Sequence, residues 1–277
     1  MYSIVEKTET VPNTNLVKVR APAIADKARP GQFIVIMVDE RSERIPYTLS
    51  DWDKEEGTIT FVVNEVGRST GKLVGRKKGD ELYSVVGPLG IAPEISNVGT
   101  VACVGGCFGI AAILPLARAF KEAGAKVISI VEARAGYLIY LEKELRKASD
   151  ELIIATGDGS RGIKGFVPDA LKDLIDNKTK INKVFAIGCT FMLKLTCDAT
   201  RAAKIDTQVD LCPIIVDATG MCGCCRIEVG GETKFACVDG PFFDGHKVDW
   251  DVLGFRKAAY VAQERDSVQS SKMGVKQ

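Results

Sequence analysis

A frame of four side chains near the end of the chain constrains the fold most. Asp217, Cys222, Cys225 and Cys237 follow the spacing D-x4-C-x2-C-x11-C. Plant-type [2Fe–2S] ferredoxins use C-x4-C-x2-C and a distant fourth cysteine, so an aspartate stands here where the first thiolate would be. Because an oxygen ligand changes both ligand type and net charge, we expect an altered reduction potential. The spacing predicts a segment folded around a [2Fe–2S] cluster, with these four residues as ligands and Cys224 spare.

The same cysteines allow a second interpretation. Cys222, Cys224, Cys225 and Cys237 could bind zinc tetrahedrally, which would make the chain a zinc-stabilised interaction module without redox activity. Cys224 and Cys225 are adjacent, which is awkward for a compact zinc knuckle, and Asp217 would have no role. The spacing therefore favours the iron–sulfur interpretation.

Composition limits the remaining classes of function. The 277 residues suit two domains with an appended segment, and a net charge of +1 gives no basic excess for nucleic acid or an anionic membrane. Nine cysteines, several of them clustered near the C-terminus, indicate a metal site in a reducing, cytoplasmic location rather than a disulfide scaffold. The first residues lack the apolar core of a signal peptide.

One uncharged stretch, residues 98–117, is as long as a membrane span. Gly105, Gly106 and Gly109 interrupt it, and Pro115 follows. A buried strand, a glycine turn and a buried helix explain this pattern better, so we expect no membrane span.

Hydrophobic periodicity divides the chain into three parts. Residues 1–97 contain short apolar runs separated by turn residues, which predict an antiparallel β-barrel with a short helix at 68–75. Residues 98–212 alternate strand and helix patterns, which predict a parallel sheet covered by helices. Residues 213–277 hold the cysteine frame and a C-terminal helix and tail. The predicted fold class is β plus α/β.

Two glycine turns in the middle part point to a nucleotide site. Gly105-Gly106-Cys107-Phe108-Gly109 and Ile187-Gly188-Cys189-Thr190 each follow a strand and open a helix. Such turns on neighbouring strands would face one crevice, where nucleotides bind. A third loop, residues 156–162, offers further backbone donors. Glu132 favours the free ribose of NAD and Arg134 the phosphate of NADP, so the sequence leaves that choice open.

A family resemblance joins these motifs. Arg44, Tyr47 and Thr48, the run 64–70 and Gly87-Pro88-Leu89-Gly90 resemble the FAD-binding half of the ferredoxin–NADP reductase superfamily. The glycine turns resemble its nicotinamide-binding half. The cysteine segment narrows the resemblance to the small subunit of NADH-dependent reduced ferredoxin:NADP oxidoreductase, the sulfide dehydrogenase beta subunit type. The electron-transfer subunit of dihydroorotate dehydrogenase B is related but uses four cysteines.

The resemblance implies a set of site residues. FAD would be bound by Arg44, Pro46, Tyr47, Thr48, Asn64, Val66, Gly67, Ser69 and Thr70. The NAD(H) cleft would be bordered by Gly106, Gly109, Asp158 and Gly188, and the cluster held by Asp217, Cys222, Cys225 and Cys237. Cys107 and Cys189 stand in that cleft; relatives commonly have a glycine in place of Cys107 and a proline in place of Thr190 or Cys189. No catalytic acid or base is implied, because the cofactors relay the electrons.

The resemblance also implies an activity and a partner. The chain would be an oxidoreductase subunit passing electrons between NAD(H), FAD and the cluster, in an electron-bifurcating complex. Its partner would be a larger flavoprotein with FAD and [4Fe–4S] clusters, similar to the glutamate synthase small subunit. Two alternatives remain open at this point: an electron-transfer subunit of dihydroorotate dehydrogenase type, and a lone NADH-dependent reductase.

Overall fold

The first third of the chain forms a curled antiparallel sheet in the computed structural model, which describes residues 2–272. Its elements are β1 (Tyr2–Val11), β2 (Thr14–Arg20), α1 (Pro22–Ala25), β3 (Phe33–Met37), β4 (Ile45–Asp53), β5 (Thr58–Asn64), α2 (Arg68–Val74), β6 (Glu81–Leu82) and β7 (Ser84–Leu89). The strand order is β6-β1-β2-β5-β4-β3-β7. The two edge strands, β6 and β7, are consecutive in the chain with only Tyr83 between them, so the sheet nearly closes. The predicted antiparallel barrel and its short helix are confirmed.

The next part of the chain forms a second, mostly parallel sheet. Its elements are β8 (Thr100–Gly106), α3 (Gly109–Glu122), β9 (Lys126–Ala133), α4 (Glu142–Ala148), β10 (Glu151–Thr156), β11 (Ile163–Lys164), α5 (Val167–Asp176), β12 (Lys183–Ile187), α6 (Thr190–Arg201) and β13 (Asp206–Asp210). Strand β8 lies between β9 and β12, and both pairings are parallel. Central strands of such a sheet are buried on both faces, which explains the apolar run of β8. The predicted parallel sheet is confirmed.

The C-terminal part packs onto this second sheet. Its elements are β14 (Arg226–Val229), β15 (Glu232–Phe235), α7 (Ala236–Asp239), β16 (Phe242–Asp244), α8 (Trp250–Lys257) and α9 (Val261–Lys272). Strand β16 pairs antiparallel with β13 and so extends the second sheet to seven strands. The predicted C-terminal helix is a pair of helices, and the end of the predicted tail, residues 273–277, lies outside the described residues.

Helix α3 connects the two larger parts. It packs on β8 and also on β4 and β5 of the barrel, and Val62 of β5 belongs to the same hydrophobic core as α3. A helix covered on most sides is apolar nearly all round, which explains the uncharged stretch at 98–117. Within residues 2–272, no helix has the length and apolarity needed to cross a membrane. A salt bridge between Arg118 of α3 and Asp51 of β4, at 2.8 Å, also joins the two parts.

Candidate functional site

A cavity lies between the barrel and the second sheet, and it contains several predicted FAD residues. Its walls are Phe33, Pro46, Tyr47, Thr48, Ser50, Val62, Asn64, Phe108, Asp210, Leu211, Cys212, Ile215 and Pro241. An apolar cleft with a few polar groups is the usual form of a cofactor site. The structure therefore brings Pro46, Tyr47, Thr48 and Asn64 together, as the sequence predicted.

The polar side chains of the barrel wall differ in whether they have partners. Ser50 Oγ donates to the Thr60 carbonyl at 3.0 Å, and Asn64 Nδ2 donates to Thr14 Oγ1 at 2.8 Å. The Tyr47 hydroxyl is buried and has no hydrogen-bond partner among the described residues, and burial raises the pKa of Tyr47. Because an unpaired buried hydroxyl is costly, this group fits a site that a bound molecule completes.

The opposite wall carries a buried acid that sequence reasoning missed. Asp210, at the end of β13, is 5% exposed, and Thr48 Oγ1 donates to its Oδ2 over a long 3.4 Å. Burial raises the pKa of Asp210 to about 7. The signal in the sequence was an acid between Val209 and Leu211, two residues that are themselves buried.

The other predicted FAD residues lie outside this cavity wall. Arg44 is exposed just before β4 begins, and Val66 is exposed. At the start of α2, the Thr70 hydroxyl accepts hydrogen bonds from the N–H groups of Val66 and Gly67, at 3.0 and 2.9 Å. Ser69 Oγ donates to the Glu43 carboxylate. Thr70 thus holds the turn that precedes α2, and these residues remain predicted ligands.

The two glycine turns lie side by side. Residue Ile187 of β12 is directly opposite Gly105 of β8 in the parallel ladder, so both turns follow adjacent strand ends at the same edge of the sheet. The predicted common crevice is therefore present. Crevices at the carboxyl ends of parallel strands are where α/β proteins bind nucleotides.

The glycines of this crevice are required by contacts within the chain. A Cβ on Gly109 would lie 1.9 Å from the Ile187 carbonyl oxygen, and one on Gly105 would lie 2.6 Å from the Gly109 carbonyl oxygen. A Cβ on Gly106 or Gly188 would meet the Met192 side chain at 2.9 or 2.7 Å. The two turns thus pack closely against each other, which only residues without a side chain allow.

Two acids near the crevice have partners within the chain. Glu132 Oε2 accepts from the Val167 N–H at 2.7 Å, at the start of α5, and burial raises the pKa of Glu132. Asp158 is exposed and accepts from Ser160 through its hydroxyl at 2.7 Å and its N–H at 2.9 Å. The Ser160 hydroxyl is the main cause of the lowered pKa of Asp158.

The two unusual cysteines of the crevice are both exposed. Cys107 has a positive φ of 53°, a conformation that costs a side chain energy and that glycine adopts freely. The Tyr140 hydroxyl donates to the Cys107 carbonyl at 2.9 Å, which fixes that turn. Although part of Cys107 is exposed, partial desolvation of its thiol, followed by the neighbouring Cys189, raises the pKa of Cys107.

The four predicted ligands of the cysteine frame separate into two pairs. Cys225 and Cys237 are buried with their sulfur atoms 3.2 Å apart. Asp217 lies beside Cys222: its Oδ1 accepts from the Thr219 N–H and its Oδ2 from the Cys222 N–H, both at 3.0 Å. The Thr219 N–H is the first cause of the lowered pKa of Asp217. Two protein ligands for each of two irons is the arrangement that a [2Fe–2S] cluster takes.

Helix α8 supports the loop that carries these ligands. Arg256 Nη2 donates to the Cys224 carbonyl at 3.0 Å, and Cys224 Sγ lies 4.0 Å from the Cys222 carbonyl. Among residues 2–272, no three His, Cys, Asp or Glu side chains converge on one metal position.

Comparisons with known proteins agree with this geometry. Residues 213–249 match the family described as the iron–sulfur cluster binding domain of dihydroorotate dehydrogenase B. A protein of Thermotoga maritima named as a homologue of the dihydroorotate dehydrogenase B (NAD(+)) electron transfer subunit is 43% identical, covering 96% of this chain and 94% of its own. The Fusobacterium nucleatum electron transfer subunit of dihydroorotate dehydrogenase B is 28% identical, covering 87% and 95%.

A solved structure extends the likeness to the whole fold. The chain resembles a structure of NADH-dependent reduced ferredoxin-NADP oxidoreductase, which was studied for flavin-based electron bifurcation. The TM-score is 0.93 at 42% identity, and the match covers 98% of each chain.

Proposed function

Since the chain belongs to the family of dihydroorotate dehydrogenase B electron-transfer subunits and their homologues, we propose that it is the small subunit of an electron-bifurcating NADH-dependent ferredoxin-NADP oxidoreductase. It is an oxidoreductase subunit that transfers electrons between NAD(H), FAD and a [2Fe–2S] cluster. When bound, FAD exchanges electron pairs with NAD(H) and single electrons with the cluster. Asp217, which stands where the dihydroorotate dehydrogenase type has a cysteine by resemblance, and the TM-score of 0.93 over 98% of each chain support this complex.

One observation carries the proposal: the flavin cavity runs directly into the cluster frame. Leu211, Cys212 and Ile215 line the cavity, and Asp217 follows Ile215 by two residues, a backbone span of at most ~7 Å. A single short segment therefore joins the two sites. This supports direct electron exchange between a flavin in the cavity and iron bound by the frame.

The residues of the chain act by binding, orienting and excluding water. Tyr47, Thr48 and Asn64 would hold the flavin ring, with Phe33 and Phe108 covering the cavity. The turns at Gly106 and Gly188 would admit the nucleotide. In the cluster frame, Asp217 and Cys222 would hold one iron, and Cys225 and Cys237 the other. No residue is required as a catalytic acid or base.

The experiment is an anaerobic visible absorption spectrum of the purified chain before and after addition of NADH. We expect flavin bands with a broader iron–sulfur shoulder, both bleached by NADH. A colourless chain that stays unchanged by NADH after reconstitution with FAD, iron and sulfide would contradict the proposal.

The larger partner flavoprotein is the second part of the proposal. Met221 and Phe255 are 87% and 84% exposed, and both lie near the cluster frame: Met221 precedes Cys222, and Phe255 precedes Arg256, which contacts Cys224. Exposed apolar side chains of this kind mark interaction surfaces. We expect Met221→Glu with Phe255→Glu to abolish co-purification of the larger subunit, while Tyr83→Glu, an exposed aromatic of the barrel, retains it. Unchanged co-purification of the double variant would contradict this docking surface.

A further inference from the structure

Asp210 is the buried acid that the proposed function does not use. It is the last residue of β13 and lines the flavin cavity. Its protein partner is the Thr48 hydroxyl at 3.4 Å, beyond the usual range for a strong hydrogen bond between oxygens. Lys257 acts on Asp210 electrostatically, but its ammonium group donates to the Cys212 carbonyl at 3.2 Å. The carboxyl group is therefore poorly satisfied by the chain.

The fold gains nothing from an acid at this position. Burying a carboxylate without close hydrogen bonds is costly, and the group responds by retaining its proton. Burial accordingly raises the pKa of Asp210 to about 7, against opposing effects of Thr48 and Lys257. A carboxyl group whose pKa is raised towards neutrality can change there from a neutral form that donates to an ionised form that only accepts.

The barrel wall of the cavity supplies an independent observation. The Tyr47 hydroxyl lines the same cavity, and the residue is only 9% exposed. Its oxygen has no hydrogen-bond partner among the described residues. Tyr47 and Asp210 come from different sheets, so no single local motif explains why the first is unpaired and the second has only a long hydrogen bond. A molecule in the cavity that offers hydrogen-bonding groups would satisfy both.

We propose that Asp210 is a flavin-contacting residue, whose carboxyl group hydrogen-bonds the polar edge of the FAD ring and changes from donor to acceptor when it loses its proton. The inference rests on the proposed function, because it requires FAD in this cavity. The polar edge of the ring carries carbonyl and ring-nitrogen acceptors and a single N–H donor. A neutral Asp210 can bond to any of those acceptors, whereas an ionised one can bond only to the N–H.

The other charged and titratable groups near Asp210 are not expected to gain or lose a proton in the same pH range. Tyr47 faces it from β4, and burial raises the pKa of its hydroxyl away from neutrality. Lys257 from α8 is cationic at neutral pH, and Cys212 follows two residues along the chain. Of these groups, Asp210 is the acid whose ordinary pKa is moved into the neutral range.

The test is a pH titration of the flavin absorption spectrum in the oxidised holoprotein, between about pH 5 and 9. We expect a one-proton change in the flavin bands of the wild-type chain. It should disappear in Asp210→Asn, which keeps the shape of the side chain but does not titrate. The matched control is Asp206→Asn, an exposed acid on the same strand, which should retain the change.

Binding of FAD to the apoprotein gives a second readout. As the pH rises past neutrality, we expect the wild-type dissociation constant to increase by about tenfold, because the ionised carboxylate loses the contacts with the ring acceptors. Asp210→Asn should vary less than about twofold over the same range. A purely structural role would alter the unfolding temperature of Asp210→Asn without removing the spectral titration.

The outcomes separate this inference from the proposed function. A chain that binds no FAD at any pH overturns the proposed function itself. A chain that binds FAD with a pH-independent spectrum, or an Asp210→Asn variant that titrates like the wild type, overturns only the role of Asp210. If Asp210→Asn does not fold, the test is made on the wild-type chain instead, by following the infrared band of its buried carboxylic acid as the pH changes. That band must titrate together with the flavin spectrum, and separate midpoints overturn the assignment.

Discussion

The cluster frame and the nucleotide crevice present their binding groups in opposite ways. In the frame, the binding groups are side chains: the buried thiols of Cys225 and Cys237 lie 3.2 Å apart, and the Asp217 carboxylate lies beside Cys222. In the crevice, the predicted binding groups are backbone atoms of two turns in which Gly105, Gly106 and Gly109 are buried and closely packed. A site made of ligating side chains constrains both the residue types and their spacing in the sequence. A site made of backbone atoms constrains only the positions of the glycines.

The two sites should also differ in what a substitution affects, the bound cofactor or the stability of the fold. In the proposed function the residues of the frame serve the metal, and Cys225 and Cys237 also lie in the hydrophobic core. The glycines of the crevice serve the fold itself, since Gly109 packs against the Ile187 carbonyl oxygen. A substitution in the frame should therefore remove a cofactor, and one in the crevice should destabilise the chain.

The strongest test of the frame is Cys237→Ser against Cys224→Ser. We expect Cys237→Ser to lose the iron–sulfur absorption and its iron, because three ligands and a hydroxyl hold the cluster poorly. Cys224→Ser should retain both, since its sulfur lies outside the two ligand pairs. Iron analysis and visible spectra of the two variants check this. Equal loss in both would indicate that Cys224 is a ligand, as the zinc interpretation requires.

The corresponding test of the crevice is Gly109→Ala. Its new methyl group would lie 1.9 Å from the Ile187 carbonyl oxygen, so β12 and α3 must move apart. We expect the free energy of unfolding to fall by about 3 kcal/mol, the upper end for overpacking. Chemical denaturation of the variant measures this loss.

The matched control for Gly109→Ala is Gly254→Ala in helix α8. A Cβ on Gly254 meets nothing within 4 Å, and alanine is the better helix former, so we expect a gain of about 0.5–1 kcal/mol. If both glycine variants had similar stability, the packing role of Gly109 would be wrong, and its glycine would have to serve a ligand instead.

The sequence was most informative where a pattern is local. The spacing from Asp217 to Cys237 placed the cluster frame, and the uncharged run at 98–117 placed β8 and α3 as a strand and helix. Asp210 escaped notice because its meaning depends on Thr48, which is 162 residues away along the chain. The barrel had to be folded against the second sheet before that acid could be recognised as part of a cavity.

The crevice shows an intermediate case. Two turns on neighbouring strands were expected and are found, because strand–glycine–helix is a local pattern. The contact between Gly109 and Ile187 is not local, so the sequence could not distinguish a glycine needed for packing from one needed for a ligand. The same holds for Glu132, whose contact with the Val167 N–H at 2.7 Å could not be foreseen from the sequence.

The smallest expected effect concerns the hydrogen bond between Glu132 and the Val167 N–H. Because the Glu132 carboxylate accepts the Val167 N–H at the start of α5, we predict that Glu132 does not select between NAD and NADP. Glu132→Gln keeps an acceptor for Val167, so we expect the ratio of the NADH and NADPH dissociation constants to change by less than about threefold. Glu132→Ala should cost about 1 kcal/mol of stability by leaving that N–H unpaired. A tenfold change in the ratio of the NADH and NADPH dissociation constants of Glu132→Gln would show that Glu132 contacts the nucleotide.

The pH dependence of Glu132→Gln sharpens the same point. Burial raises the pKa of Glu132 in the folded chain above its unfolded value, so its contribution to stability is greatest at low pH. That contribution declines as the pH rises from the ordinary glutamate value towards the raised one, and is constant above it. Glu132→Gln cannot titrate, so its unfolding free energy should vary less with pH over that interval than the wild-type value. An identical pH profile for both chains would mean that the carboxylate is exposed to solvent and free to meet a ribose.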